Sequence, residues 1–78
     1  MAVLIYTTPT CGFCKQAKAF MNEKNVSFEE KDVSVDQAAM QDMLVKSGQL
    51  GVPVIDVDGI IVVGFDQAKL ESALGLES

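Results

Sequence analysis

The sequence has no histidine, no arginine and only two cysteines among its 78 residues. Structural zinc wants four protein ligands, so two thiols without an imidazole close such a site only if two chains share it. Six lysines stand against eleven acids, for a net charge of −5. That balance excludes the basic patch of a nucleic-acid footprint. Long apolar runs are also missing. No stretch approaches the ~20 residues of a membrane span. The first apolar run stops at Tyr6 with no basic segment before it, too short for a secretory signal. A cytoplasmic chain is the expectation. Thiols there are kept reduced, so a close cysteine pair points to catalysis or metal binding rather than to a structural staple. A four-residue loop also gains little from cross-linking, because loop-closure entropy grows with loop length.

What is present suffices for one small folded domain, residues 1–78. Apolar residues make up 49% of the chain, which argues against disorder. A chain of this size buries roughly 60% of the surface it would expose unfolded, so the core is small. Charge is uneven along it. Residues 1–25 hold Lys15, Lys18 and Lys24 against Glu23 alone, while the remaining three lysines face the other ten acids. The positive part surrounds both cysteines and offers an anionic partner a favourable local field, although lysines more commonly serve only as a solvated helix face.

The two cysteines stand as Cys11-Gly12-Phe13-Cys14, between a short apolar run and a helical pattern. Ala2 to Thr7, apolar almost throughout, suits a central strand covered on both faces. Thr8-Pro9-Thr10 breaks it, and Thr10 is the expected helix cap. A helix follows, patterned from Lys15 to Asn25, with Cys14, Ala17, Phe20 and Met21 on one stripe. Ser27 to Val33 reads as an edge strand, with Phe28 and Glu30 on one side and the charges discouraging foreign pairing. Ser34-x-x-Gln37 has capping-box form and opens a second helix. Met40, Met43, Leu44 and Ser47 follow its inward spacing, and Gly48 stands at its C-terminal end. After a loop, Val54–Val57 and Ile60–Val63 flank the turn pair Asp58-Gly59 as a hairpin. Asp66 caps a last helix, Gln67 to Leu74, with Leu70, Ala73 and Leu74 inward, and 75–78 form a frayed tail. The order βαβαββα predicts a right-handed parallel crossover followed by an antiparallel hairpin in the same sheet. The fold class is α/β: a four-stranded mixed sheet flanked by three helices.

The chemistry of the pair follows from its placement. A thiol attacks as its thiolate, and a helix N-terminus presents unpaired N–H groups and partial positive charge that favour the anion. Cys11 holds that position, with Lys15 one turn along. Cys14 points coreward and is the less exposed sulfur. Cys11 is therefore the expected nucleophile on a substrate disulfide, and Cys14 the sulfur that resolves the mixed disulfide. Gly12 gives a permissive backbone between them, and Phe13 an exposed aromatic for contact. Val52-Pro53 precedes a strand, where proline can simply block ladder pairing. A cis peptide facing Cys11 would instead present the Val52 backbone to an extended substrate. Gly64-Phe65-Asp66 starts a helix whose N-terminus suits a carboxylate.

Three motifs together, Tyr6-Thr-Thr-Pro-Thr-Cys-Gly-Phe-Cys14, Gly51-Val-Pro53 and Gly64-Phe-Asp66, resemble the glutaredoxins and glutaredoxin-like redoxins of the thioredoxin fold. The resemblance runs from Val3 to Leu74. It implies a thiol–disulfide oxidoreductase in which Cys11 attacks glutathione mixed disulfides and protein disulfides and Cys14 resolves them. It implies substrate or glutathione contacts at Thr8, Gly12, Phe13, Lys15, Val52, Pro53, Gly64, Phe65 and Asp66. Glutathione is then a co-substrate, no cofactor is tightly bound, no residue is a metal ligand, and the chain works as a monomer. Some positions depart from the family pattern. Thr8 and Pro9 stand where many glutathione-using members carry a lysine, Val63-Gly64 replaces Gly-Gly, and Gln67 replaces a second aspartate. These departures motivate an alternative, a redoxin reduced directly by thioredoxin reductase and serving ribonucleotide reductase or another reductase. Lower still ranks a dimeric iron–sulfur carrier built on Cys11 and two glutathiones. Gly-Phe between the cysteines is similar to the single-thiol members with that role, but they carry serine where this chain has Cys14.

Overall fold

A computed structural model describes residues 2–75. The elements are β1 (Val3–Thr7), α1 (Gly12–Glu23), β2 (Glu29–Asp32), α2 (Gln37–Ser47), β3 (Val54–Val57), β4 (Ile60–Val63) and α3 (Gln67–Leu74). The strands form one sheet in the order β2-β1-β3-β4. β1 pairs parallel with β2, while β3 pairs antiparallel with both β1 and β4. This is the expected mixed sheet with three helices. No helix among the described residues is long and apolar enough to cross a membrane.

β1 is apolar on both faces because both faces are covered. Val3 and Ile5 pack with Phe20 and Met21 of α1 and Leu70 and Leu74 of α3. Tyr6 packs on the other side with Val54 and with Ala39 and Met43 of α2. The edge strand is shorter than expected, four residues rather than 27–33. Glu29 and Glu30 lie exposed along it, as an edge that resists foreign pairing requires. Phe28 and Glu30 do share a side. Phe28 packs on the core below α1, and Glu30 accepts from Lys18 at 2.9 Å and from the Thr7 hydroxyl at 2.6 Å.

Three local expectations are corrected. The cap of α1 is Cys11, not Thr10, and the helix starts three residues earlier than the Lys15 pattern. The cap of α2 is Asp36, whose carboxylate accepts from Ala39 N at 3.0 Å. Ser34 is captured elsewhere: its N–H and hydroxyl both bond Asp32 Oδ1. A carboxylate two residues upstream competes for that serine, and a second carboxylate meets the helix's free N–H groups. Third, the buried residues of α2 are Ala39 and Met43, while Met40 and Leu44 stay 37% and 40% exposed. The stripe is rotated because small Ala39 lets the helix approach Tyr6 and Val54.

Punctuation of the remaining elements follows the sequence. Asp58 and Gly59 take φ of 52° and 96°, the paired positive values of a tight hairpin turn. Gly48 ends α2 in the left-handed region, Asp66 caps α3 by accepting from Lys69 N, and Leu70 and Leu74 are buried. The expected frayed tail lies, beyond Gly75, outside the described residues.

One polar cluster holds α2 to the sheet. Lys46 Nζ reaches Asp56 Oδ2 at 2.8 Å and Asp42 Oδ2 at 3.3 Å, and it donates to the Tyr6 hydroxyl at 2.9 Å. That hydroxyl donates to Asp42. The ammonium also lies 5.3 Å from the Tyr6 ring centre. Lys46 draws the Asp56 carboxyl below its ordinary range, and the Tyr6 hydroxyl, then Lys46, does so for Asp42. Depressed carboxylate values stabilise the fold above the unfolded-state value and cease to do so as pH falls through the folded one. Lys46→Met should therefore lower stability by about 2 kcal/mol at pH 7, chiefly because it leaves the mostly buried Asp56 carboxylate without its cation, while half-exposed Asp42 keeps the Tyr6 hydroxyl and contributes little. Urea unfolding across pH should show that deficit shrinking below about pH 4, where ordinary carboxylates protonate. A constant deficit would contradict the electrostatic account.

Candidate active site

The topology brings three separate stretches to one end of the sheet. β1 and β3 run antiparallel with Tyr6 opposite Val54. The residues that follow β1 therefore abut those that precede β3. Val54 also lies opposite Val63, so the exit of β4 reaches the same place. A bond from Gly64 N–H to the Pro53 carbonyl, 2.8 Å, closes the junction. Cys11, Val52-Pro53 and Gly64-Phe65-Asp66 are neighbours for this reason.

The turn after β1 sets the first sulfur. Cys11 N–H donates to the Thr8 carbonyl at 3.3 Å, and Lys15 N–H donates to the Cys11 carbonyl at 3.3 Å. Cys11 is extended, with φ −87° and ψ 112°, as the half-helical residue before a first turn should be. Its side chain does the work that serine, threonine or aspartate usually does at this position. Cys14 N–H donates to Cys11 Sγ at 3.1 Å. The sulfur also faces the loop across from it, with the S–H donating to the Val52 carbonyl at 3.8 Å. The Val52–Pro53 peptide is cis, as its sequence context suggested.

The two sulfurs differ sharply. Cys11 is partly exposed, whereas Cys14 is 1% exposed. Burial pushes the Cys14 thiol up to about 12, the hydrogen bond with Cys11 adds to this, and the Thr8 backbone opposes it more weakly. Cys14 is thus a protonated thiol at neutral pH.

A groove of about 310 Å³ beside the cysteines is lined by Phe13, Val52, Pro53, Val63, Gly64, Phe65 and Asp66. Phe13 is 62% exposed and ready for contact. Phe65 is tied back by a tilted ring contact with Phe20, 5.9 Å between centres. Asp66, whose carboxylate caps α3, is one of the residues that line the groove. The structure places the other expected residues differently. Gly12 and Thr8 belong to the turn that sets Cys11 rather than to the groove wall. Lys15 is exposed on α1 and does not line the groove. Val63, 47% exposed, was not among the sequence candidates; its signal was its place as the last residue of a strand ending at Gly64. A larger hollow, about 460 Å³, lies at the far end of α1 among Asn22, Asn25, Val26, Ser27 and Phe28, and neither cysteine is among the residues that line it.

A parallel strand feeding a helix through a Cys-x-x-Cys turn, with a cis-prolyl loop across from the first sulfur, defines a dithiol protein of the thioredoxin-like fold. Comparison with known proteins narrows the class. The glutaredoxin family model matches residues 3–62. A glutaredoxin-like 8.6 kDa protein of the Clostridium pasteurianum rubredoxin operon is 40% identical over 72 residues, 92% of this chain and 96% of that protein. Glutaredoxin 3 of Escherichia coli is 37% identical over 73 residues, 94% of this chain and 88% of its own. Among solved structures, a mutant of a thioredoxin-like protein superposes with a TM-score of 0.90 at 35% identity, covering 96% of both chains. The chain belongs to the glutaredoxin family, whose general chemistry is thiol–disulfide exchange.

The asymmetry of the sulfurs has a direct readout. At pH 7 iodoacetamide should label Cys11 at least about tenfold faster than Cys14, because Cys14 is sealed from water and burial holds its proton in place. Peptide mass mapping of briefly treated, fully reduced protein checks this; equal labelling would contradict it.

Proposed function

We propose that the protein reduces protein disulfides and glutathione mixed disulfides through a Cys11/Cys14 dithiol cycle, with glutathione as the thiol that recharges it. One observation carries this reading. Cys11 Sγ lies partly exposed at the head of α1, 3.1 Å from Cys14 N and 3.8 Å from the Val52 carbonyl, beside a groove. Cys11 Sγ, as its thiolate, attacks one sulfur of the substrate disulfide. A Cys11–substrate disulfide forms, the substrate S–S bond breaks, and the departing sulfur takes a proton. Cys14 then gives up its proton and attacks Cys11 Sγ, forming the Cys11–Cys14 disulfide and releasing the second substrate thiol. Two electrons have passed to the substrate. Two glutathione thiols return them and leave as glutathione disulfide.

The Val52 backbone supports the reading as a strand-like partner for the substrate main chain. Phe13, Phe65 and Val63 supply apolar walls. The first turn of α3 suits a carboxylate, and Asp66 an ammonium; together they match an amino acid head group such as the γ-glutamyl end of glutathione. Lys15 and Thr8 are assigned secondary contacts at most, given their placement. A cytoplasmic, reducing location belongs to the same proposal.

A second reading has its own observation. Among the described residues Asp66 is the only charged one lining the groove, and no cation does, whereas glutathione carries two carboxylates. This favours a redoxin reduced directly by thioredoxin reductase. A side-by-side turnover assay separates the two. Reduction of a protein disulfide driven by glutathione and glutathione reductase is the expected result. Turnover with thioredoxin reductase and none with glutathione selects the second reading. In either assay Cys11→Ser should lose at least about 10³-fold in rate, as removal of a covalent nucleophile does.

A further inference from the structure

The loop between α2 and β3 contains a side chain whose role the site described so far does not use. Gln49 folds back on Gly51. Gly51 N–H donates to Gln49 Oε1 at 2.6 Å, and Gln49 Nε2 donates to the Gly51 carbonyl at 2.9 Å. One planar amide thus holds both backbone polar groups of one residue. The base of the clamp is itself anchored. The Ser47 hydroxyl lies 2.9 Å from the Gln49 carbonyl and 2.7 Å from the Met43 carbonyl of α2, and it accepts Gln49 N–H at 3.4 Å.

We propose that Gln49 is a positioning residue of the active site: by clamping Gly51 it fixes the direction of the Val52 backbone against which a peptide-bearing disulfide aligns. The inference rests on the reading that Val52 pairs with substrate main chain. The reason is planarity. The Gly51 carbonyl and the Val52 N–H belong to the same rigid peptide unit, and the cis bond is the next one, Val52–Pro53. Holding the Gly51 oxygen from one side therefore aims the Val52 N–H. On the far side of that residue the Val52 carbonyl faces Cys11 Sγ at 3.8 Å, and the Pro53 carbonyl is held by Gly64 N–H. The recognition backbone is pinned at both ends, once by Gln49 and once by β4.

Gly51 supplies an independent observation. Its φ lies outside the left-handed region, so its backbone does not demand glycine. A Cβ built there meets Gln49 Oε1 at 2.7 Å, and the next nearest atoms beyond its chain neighbours are the Cδ and Nε2 of the same side chain, at 3.7 and 3.9 Å. The missing side chain of Gly51 is space that Gln49 occupies. The two residues form one device.

The test uses the fully reduced protein in single-turnover reactions with two disulfides at varied concentration. One is the disulfide of N-acetyl-Ala-Cys-Ala-amide, which carries peptide groups. The other is bis(2-hydroxyethyl) disulfide, which carries none. Gln49→Ala should raise the half-saturating concentration of the peptide disulfide about fivefold, the worth of one ordered hydrogen bond, with the limiting rate unchanged. Its reaction with bis(2-hydroxyethyl) disulfide should match the parent's, which also shows that the variant is folded. Gly51→Ala, which displaces the Gln49 side chain, should give the same shift in the parent background and add nothing to Gln49→Ala. Gln49→Glu, which keeps the acceptor for Gly51 N–H and loses the donor, should fall between. An unchanged half-saturating concentration, an equal loss on both disulfides, or additive effects of the two alanine variants would overturn the clamp while leaving the dithiol chemistry standing. A parent protein inert toward both disulfides would overturn the functional reading, and the clamp with it.

Discussion

The bond from Cys14 N–H to Cys11 Sγ is the constraint on which the site depends. A helix must satisfy the N–H groups of its first turn, and it ordinarily does so with an oxygen. Here a sulfur takes the role. Capping the helix and displaying the nucleophile become one act, because the capping atom cannot turn into the core without leaving the N–H unpaired. The same geometry fixes the other sulfur. Three residues along a helix from its cap, Cys14 must face the sheet, and there it is sealed from water and keeps its proton. Division of labour between two identical side chains follows from one helix terminus.

The sheet order does the rest. A parallel crossover places the Cys-x-x-Cys turn at the C-terminal end of β1. An antiparallel β3 beside β1 places its own entry, Val52-Pro53, at that end, and the hairpin returns Gly64 to it. Three loops far apart in sequence converge without a long excursion by any of them. The groove is shallow and mostly apolar, and its polar features are backbone groups and the head of α3. Such a surface reads the main chain of a ligand more than its side chains.

Much of this was legible beforehand, in a physically consistent pattern. β1, the hairpin turn, Gly48 and the Asp66 cap depend on adjacent residues, and the sequence displays those residues directly. A cis peptide facing Cys11 was one of two readings open to a proline before a strand, and the motif resemblance favoured it, since no local rule alone carries the Cys11–Val52 contact across 41 positions. Other features hid in competition or distance. Thr10 and Ser34 are good caps, but Cys11 and Asp36 hold the positions, and Asp32 takes Ser34 for its own turn. Met40 and Leu44 matched an inward stripe that Ala39 rotated away. Lys46 looked like one of several surface lysines until Tyr6 and Asp56, from two strands, met it. Gln49 was invisible because its partner is only a backbone, and any loop has one.

The central claim is that the sulfur capping α1 carries the substrate and the buried sulfur does not. The most direct measurement is tandem mass spectrometry of the adduct formed when the reduced Cys14→Ser and Cys11→Ser variants each meet a peptide disulfide at pH 7. The account expects a long-lived mixed disulfide on Cys11 in the first and none in the second. Comparable adduct formation on Cys14 in the Cys11→Ser variant would contradict it.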